Sequence, residues 1–161
     1  MNALAKRLQH SIDHHLPGIQ KISEELASDK PRTDKWSRKE ILGHLIDSAS
    51  NNQQRFIRIQ FQDELIFQGY RQDAWVSNQK YQNRDWQEII NIWYHFNLQL
   101  VHIIETIPTE VLEKERTQHN LHQIAYKTIP QNQSTTLSYF VNDYIDHLEF
   151  HIGQIKEYPY R

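Results

Sequence analysis

The sequence predicts an all-α chain folded as a four-helix bundle. Four long stretches repeat apolar residues at the helical period of 3.6. Glycine is scarce, at four residues in 161, which argues against a Gly-rich phosphate loop. Alternating strand patterns are few, whereas capping signals stand where helices should begin. One domain over residues 1–161 fits this length and allows a proper core.

The first stretch runs from about Asn2 to Ser28, with Leu4, Leu8, Ile12, Leu16, Ile19, Ile22 and Leu26 as its apolar line. Pro17-Gly18 interrupts it, because a proline inside a helix removes a hydrogen bond and crowds the preceding turn. A kink or restart is expected there, and Lys30-Pro31 reads as a linker. Ser37-Arg-Lys-Glu40 is a capping box: the Ser hydroxyl accepts from the third amide while Glu40 reaches back. Trp36 is placed to staple onto Ile41. The helix it opens runs from about Arg38 to Phe61. Ile41, Leu45, Phe56 and Ile59 form its apolar line. Beside that line lies a polar ribbon of His44, Ser48, Asn51, Asn52 and Arg55, with Asp47 at its edge. Such a ribbon is either a pocket wall or an ordinary helix boundary.

Residues 62–84 form a long connection, of a length that usually serves as a lid or a crossover, anchored by Tyr70 and Trp75. Asp85 caps a third helix from about Trp86 to Ile107, with Trp86, Ile89, Ile90, Trp93, Phe96, Leu100, Ile103, Ile104 and Ile107 in its stripe. Asn97 projects from the middle of that stripe and must find partners, in a pocket or on the backbone. His95 and His102 lie on the opposite face. Residues 113–133 are polar and irregular, a short helix or hairpin over one end of the bundle, and nothing promotes His119 or His122 to ligands. The last helix begins near Ser134 to Thr136 and ends before Pro159. Its stripe is Leu137, Phe140, Val141, Tyr144, Leu148, Ile152 and Ile155.

Bulk properties narrow the function. The formal charge is −2 with mixed signs, and no basic block interleaves with aromatics, so no nucleic-acid surface is expected. Cysteine is absent, which removes disulfides and thiolate metal sites. That absence fits a reducing compartment, the N-terminus carries no visible secretory signal, and no apolar run approaches the ~20 residues that span a bilayer. A cytoplasmic protein without a membrane partner is therefore expected.

The chemistry concentrates on the last helix. His147 and His151 stand four residues apart and share a face, on the flank of the buried stripe. Ten histidines would place roughly one such pair by chance. The chain has two, and the other, His10 and His14, projects roughly 120° or more from the centre of its own stripe. That pair should be solvated. His44 is the best third ligand, because it alone among the other histidines borders a core stripe on a different long helix. Three neutral imidazoles leave open positions on a tetrahedral or octahedral divalent ion, where bound water becomes acidic. A zincin would need an acid directly after the first histidine; here Glu149 points outward. A di-iron site would need Glu-x-x-His on a core face, and none exists. Asp143, one turn before His147, is placed to orient a histidine ring, and Asp47 either does the same for His44 or acts as a base. The bland alternative is three core-edge histidines with hydrogen-bonded neighbours.

Trp36-Ser37-x-x-Glu40-Ile-Leu-Gly-His44-Leu-Ile-Asp47-Ser48, followed about a hundred residues later by Asp143-Tyr-x-x-His147-x-x-x-His151, resembles the DinB/YfiT-like superfamily. The likeness covers nearly the whole chain in helix order and spacing. It implies a four-helix bundle, typically up-down-down-up, with a long crossover between the second and third helices, and commonly a homodimer. It also implies a divalent ion, commonly zinc or nickel, held by His44, His147 and His151. Relatives include transferases and isomerases that use low-molecular-weight thiols, and proteins labelled metal-dependent hydrolases. Two metal-dependent activities on a small molecule are thus expected as alternatives, thiol-dependent S-transfer and hydrolysis, with Asn51, Arg55 and Asn97 orienting the substrate. A non-catalytic metal- or ligand-binding dimeric bundle is the competing reading.

Overall fold

A computed structural model describes residues 2–157. The four expected helices are α1 (Ala3–Gln20), α3 (Arg38–Arg58), α5 (Trp86–Thr106) and α8 (Leu137–Lys156). Between them lie four short ones: α2 (Glu24–Ser28), α4 (Gln72–Gln79), α6 (Thr109–Glu113) and α7 (Leu121–Ile124). Among the described residues there is no strand, only two isolated bridges. Among the described residues no helix is long and apolar enough to cross a membrane.

Each long helix begins where a side chain satisfies an orphan amide. Asn2, Asp85 and Thr136 accept from the amides of Ala5, Glu88 and Tyr139. Ser37 completes the expected capping box with Glu40. One helix boundary differs from expectation. Pro17 sits inside α1, and the helix continues to Gln20. The break falls after it, where Ser23 caps α2 by accepting from Leu26. This restart rotates the short helix, so Ala27 is buried and Leu26 is left 54% exposed. The expected stop at Pro159 lies outside the described residues; α8 closes at Lys156.

The long helices pack as a four-membered ring: α1 and α3 each lie against both α5 and α8. Contacts along the helices give their relative directions. Arg7 of α1 meets Asn142 and Asp146 while His15 meets Lys156, so α1 and α8 run the same way. Phe56 packs on Phe140 at one end of α3, and Arg38 donates to the carbonyl of Ile155 at the other, so α3 and α8 are antiparallel. Asn2 reaches Ile104 and Tyr94 reaches Asp13, so α1 and α5 are antiparallel too. Trp86, Trp93, Phe56 and the aliphatic stripes fill the centre.

The 62–84 connection returns along the length of α3, from Phe61 at one end to the capping box at the other, where Ser37 donates to Gln82. It is partly helical, through α4. Tyr81 lies flat on Gly43, where an added Cβ would come within 2.2 Å of the ring. A side chain at position 43 would thus push the crossover off α3. The polar segment after α6 is also a cover. The Leu65 N–H donates to the Gln118 carbonyl and the Asn120 N–H donates to the Leu65 carbonyl, while the Asn120 side-chain amide clamps both backbone groups of Phe67.

Candidate metal centre

His44 is carried on α3 four residues after Glu40 of the capping box and is 1% exposed. His147 and His151 reach it from α8 and are half-buried. The ring centroids are 5.1 Å apart for His44–His147, 4.8 Å for His44–His151 and 4.6 Å for His147–His151. One ring nitrogen from each lies within 4.8 Å of the other two. The Nε2 atoms of His44 and His147 are separated by 3.2 Å. Two nitrogens bound at tetrahedral angles to an ion at zinc–imidazole distance stand about 3.3 Å apart. The spacing of this pair therefore fits a shared ion.

The protonation states suit ligation. Burial pushes His44 and His147 down to about 3; the neighbouring His151 adds to the effect on both, and His44 adds to it on His147. Burial also lowers His151, partly offset by its bond to Gln154. That bond fixes a tautomer. The Gln154 carbonyl oxygen only accepts, so His151 Nδ1 donates at 2.7 Å and Nε2 keeps its lone pair for the cluster. Trp36 stands 5.1 Å from His44, Tyr126 5.6 Å from His147 and Phe150 5.1 Å from His151, centroid to centroid. These rings shield the site on its flanks.

A cavity of about 300 Å³ opens beside the cluster. His44, Ser48, Asn52 and Arg55 of α3 form one wall, and Phe140, Asp143, Tyr144 and His147 of α8 face them. Tyr70 and the 123–126 segment complete it. The polar ribbon read from the sequence is thus largely a pocket wall.

Other expected residues lie elsewhere. Asn51 donates to the Asp47 carbonyl and faces an adjoining depression with Gln54, Arg58 and Trp75, which shares Arg55 and Tyr70 with the cavity. Asn97 is fully buried in the core; its amide donates to Trp93, and its oxygen accepts from the Tyr144 hydroxyl at 2.6 Å. It props a cavity residue without reaching the cavity. Asp143 lines the cavity but accepts no bond from a histidine: its two oxygens take the backbone amides of Tyr126 and Lys127. A carboxylate finds two fixed amides there, so it clamps the 125–127 segment over the opening. Asp47 is buried behind His44 and away from the cavity. One oxygen accepts from Tyr81 at 2.6 Å and from Gln79, while the other has no partner among the described residues. Burial raises its carboxyl, and those two bonds work against the rise.

The control pair behaves as expected: His10 and His14 are exposed and stack at 6.0 Å. Glu149 bonds Arg7, away from the cluster. His119 is buried but structural, bridging the Gln133 carbonyl and the Leu121 amide. Sequence reasoning missed Gln154, Gln123 and Tyr126. Gln154, one turn after His151, carried a spacing signal; Gln123, on the one-turn helix α7, and Tyr126, in the chain after it, carried none.

No family model and no curated protein matches the sequence. Among solved structures, the chain is similar to YfiT from Bacillus subtilis, described as a probable metal-dependent hydrolase with an unusual four-helix bundle topology. The TM-score is 0.74 at 15% identity, covering 96% of this chain and 82% of that one. The chain adopts the DinB/YfiT-like four-helix-bundle fold that its motifs led us to expect, with three histidines drawn together from two of its helices.

Proposed function

We propose that the chain is a metal-dependent enzyme acting on a small molecule, with His44, His147 and His151 holding one divalent ion, zinc or nickel. The observation that carries this reading is the convergence of three imidazoles, all held neutral by burial, beside an open cavity. The donor set fits the ion: neutral nitrogens, one tautomer fixed by Gln154, and a 3.2 Å pair. A divalent ion there would supply Lewis acidity, activating a water or a thiol.

The protein's own residues do the positioning. Gln154 orients His151. Asp47 is assigned to His44, because its free oxygen and His44 Nδ1 are both buried without partners among the described residues, three positions apart on α3. Ser48, Asn52 and Tyr70 offer hydrogen bonds to substrate, while Phe140 and Tyr144 exclude water from the opposite wall. Hydrolysis is the first reading, supported by the description of YfiT. S-transfer with a low-molecular-weight thiol is the second, supported by the motif resemblance. A cytoplasmic homodimer belongs to the same reading, and the exposed Ile57, Phe61 and Ile66 supply apolar surface for pairing.

Elemental analysis of untagged protein should find one ion per chain. Ester and amide panels, and a thiol with an electrophile, should then be tried with and without EDTA. Turnover untouched by chelation refutes the reading, and metal uptake without turnover on any panel favours a non-catalytic bundle.

A further inference from the structure

We propose that the cavity takes an elongated small molecule bearing a terminal carboxylate, held by Arg55 about 10 Å from the histidine cluster. This rests on the metal-dependent reading for the other end of the ligand. Arg55 lines the cavity and is 7% exposed. A buried cation is costly unless paired, and guanidinium does not lose its proton. Among the described residues no carboxylate pairs with it. Its Nη2 donates to the Gln68 carbonyl at 3.0 Å, and its Nη1 makes a long 3.4 Å bond to Asn52. Both partners are neutral, so the charge stays uncompensated. The one carboxylate in the cavity wall, Asp143, is already held by two backbone amides.

The guanidinium lies over the Phe140 ring, 5.8 Å from its centroid. Its remaining N–H groups form a planar fork of the kind that matches a carboxylate. A single cation suits a monoanion better than a phosphate dianion. Phe140 and His147 lie seven residues apart on α8, which separates the two ends of the ligand by about 10 Å at 1.5 Å per residue. Between them run Ser48 and Asn52 on one side and Tyr144 on the other, so the ligand is polar along one edge and apolar along the other.

Zinc-loaded protein should be titrated calorimetrically with three probes: acetohydroxamate, suberic acid monohydroxamate, and the terminal amide of the latter. The hydroxamate addresses the metal end and the far carboxylate addresses Arg55. The acid should bind about tenfold or more tighter than its amide. Arg55→Gln should erase that preference, Arg55→Lys should restore part of it, and both should still bind acetohydroxamate, which reports an intact histidine end. Equal binding of acid and amide to the unsubstituted protein overturns the carboxylate site while leaving the metal reading intact. So does an equal loss for both probes in Arg55→Gln. Failure of acetohydroxamate to bind the loaded protein overturns the metal reading and the proposal together.

Discussion

Acidifying the metal-free protein from pH 7 to pH 5 should weaken it through the buried imidazoles. The unfolded chain titrates its histidines near 6.5, whereas burial holds His44 and His147 at about 3 in the fold. A folded value below the unfolded one means that the unfolded state binds more protons between the two. Stability present above 6.5 is therefore lost as pH falls toward 3. At pH 5 an unfolded imidazole is almost fully protonated and a buried one almost fully neutral. The loss between pH 7 and pH 5 is then at most about 1.9 kcal/mol per histidine. His44, at 1% exposure, should approach that limit, and the half-buried His147 should fall short of it. The assay is urea denaturation of chelator-treated protein at pH 5, 6 and 7, for the unsubstituted chain and His44→Gln. The carboxyls of Asp47 and Asp143 are raised by burial, so they act in the opposite direction, but both proteins share them. The difference between the two slopes reports His44 together with its influence on His147: the unsubstituted protein should lose about 1–2 kcal/mol more across the range. Identical slopes would refute the claim that this ring is held neutral in a dry site.

Four further outcomes follow from the geometry. His147→Ala should abolish stoichiometric metal by elemental analysis while His10→Ala keeps it; equal behaviour would sink the distinction drawn from burial. Saturating zinc should stabilise the unsubstituted protein by about 2.7 kcal/mol at a hundred times its Kd, and His147→Ala by much less. Gly43→Ala should cost about 2–3 kcal/mol in denaturant, because its Cβ would meet Tyr81 at 2.2–2.7 Å and drive it off Asp47; a silent substitution would show that the crossover is not seated there. Tyr144→Phe should cost about 1–2 kcal/mol by stranding the buried Asn97 oxygen, measured as a shift in the urea midpoint.

Features that act over a few positions of chain are legible in the amino-acid sequence. The capping box at Ser37, the four apolar stripes and the placement of each histidine relative to its own stripe all depend on helical spacing. That is why His44, His147 and His151 separate from His10 and His14 by pattern. The partners of buried polar groups are not legible in this way. Asp143 spends its oxygens on amides 16 and 17 residues away, and Asn97 meets a hydroxyl 47 residues away. Periodicity places a side chain on a face but is silent about which distant backbone packs there. Helix α4 escapes for a related reason: Gln72–Gln79 has no amphipathic face, and packing against α3 holds it in place. The sequence by itself determined the four long helices and set His44, His147 and His151 apart from the solvated histidines, through local hydrogen bonding and hydrophobic period. Only the tertiary structure decided that Asp143 clamps a loop, that Asn97 props Tyr144 and that Arg55 faces the cavity, because those contacts join segments far apart along the chain.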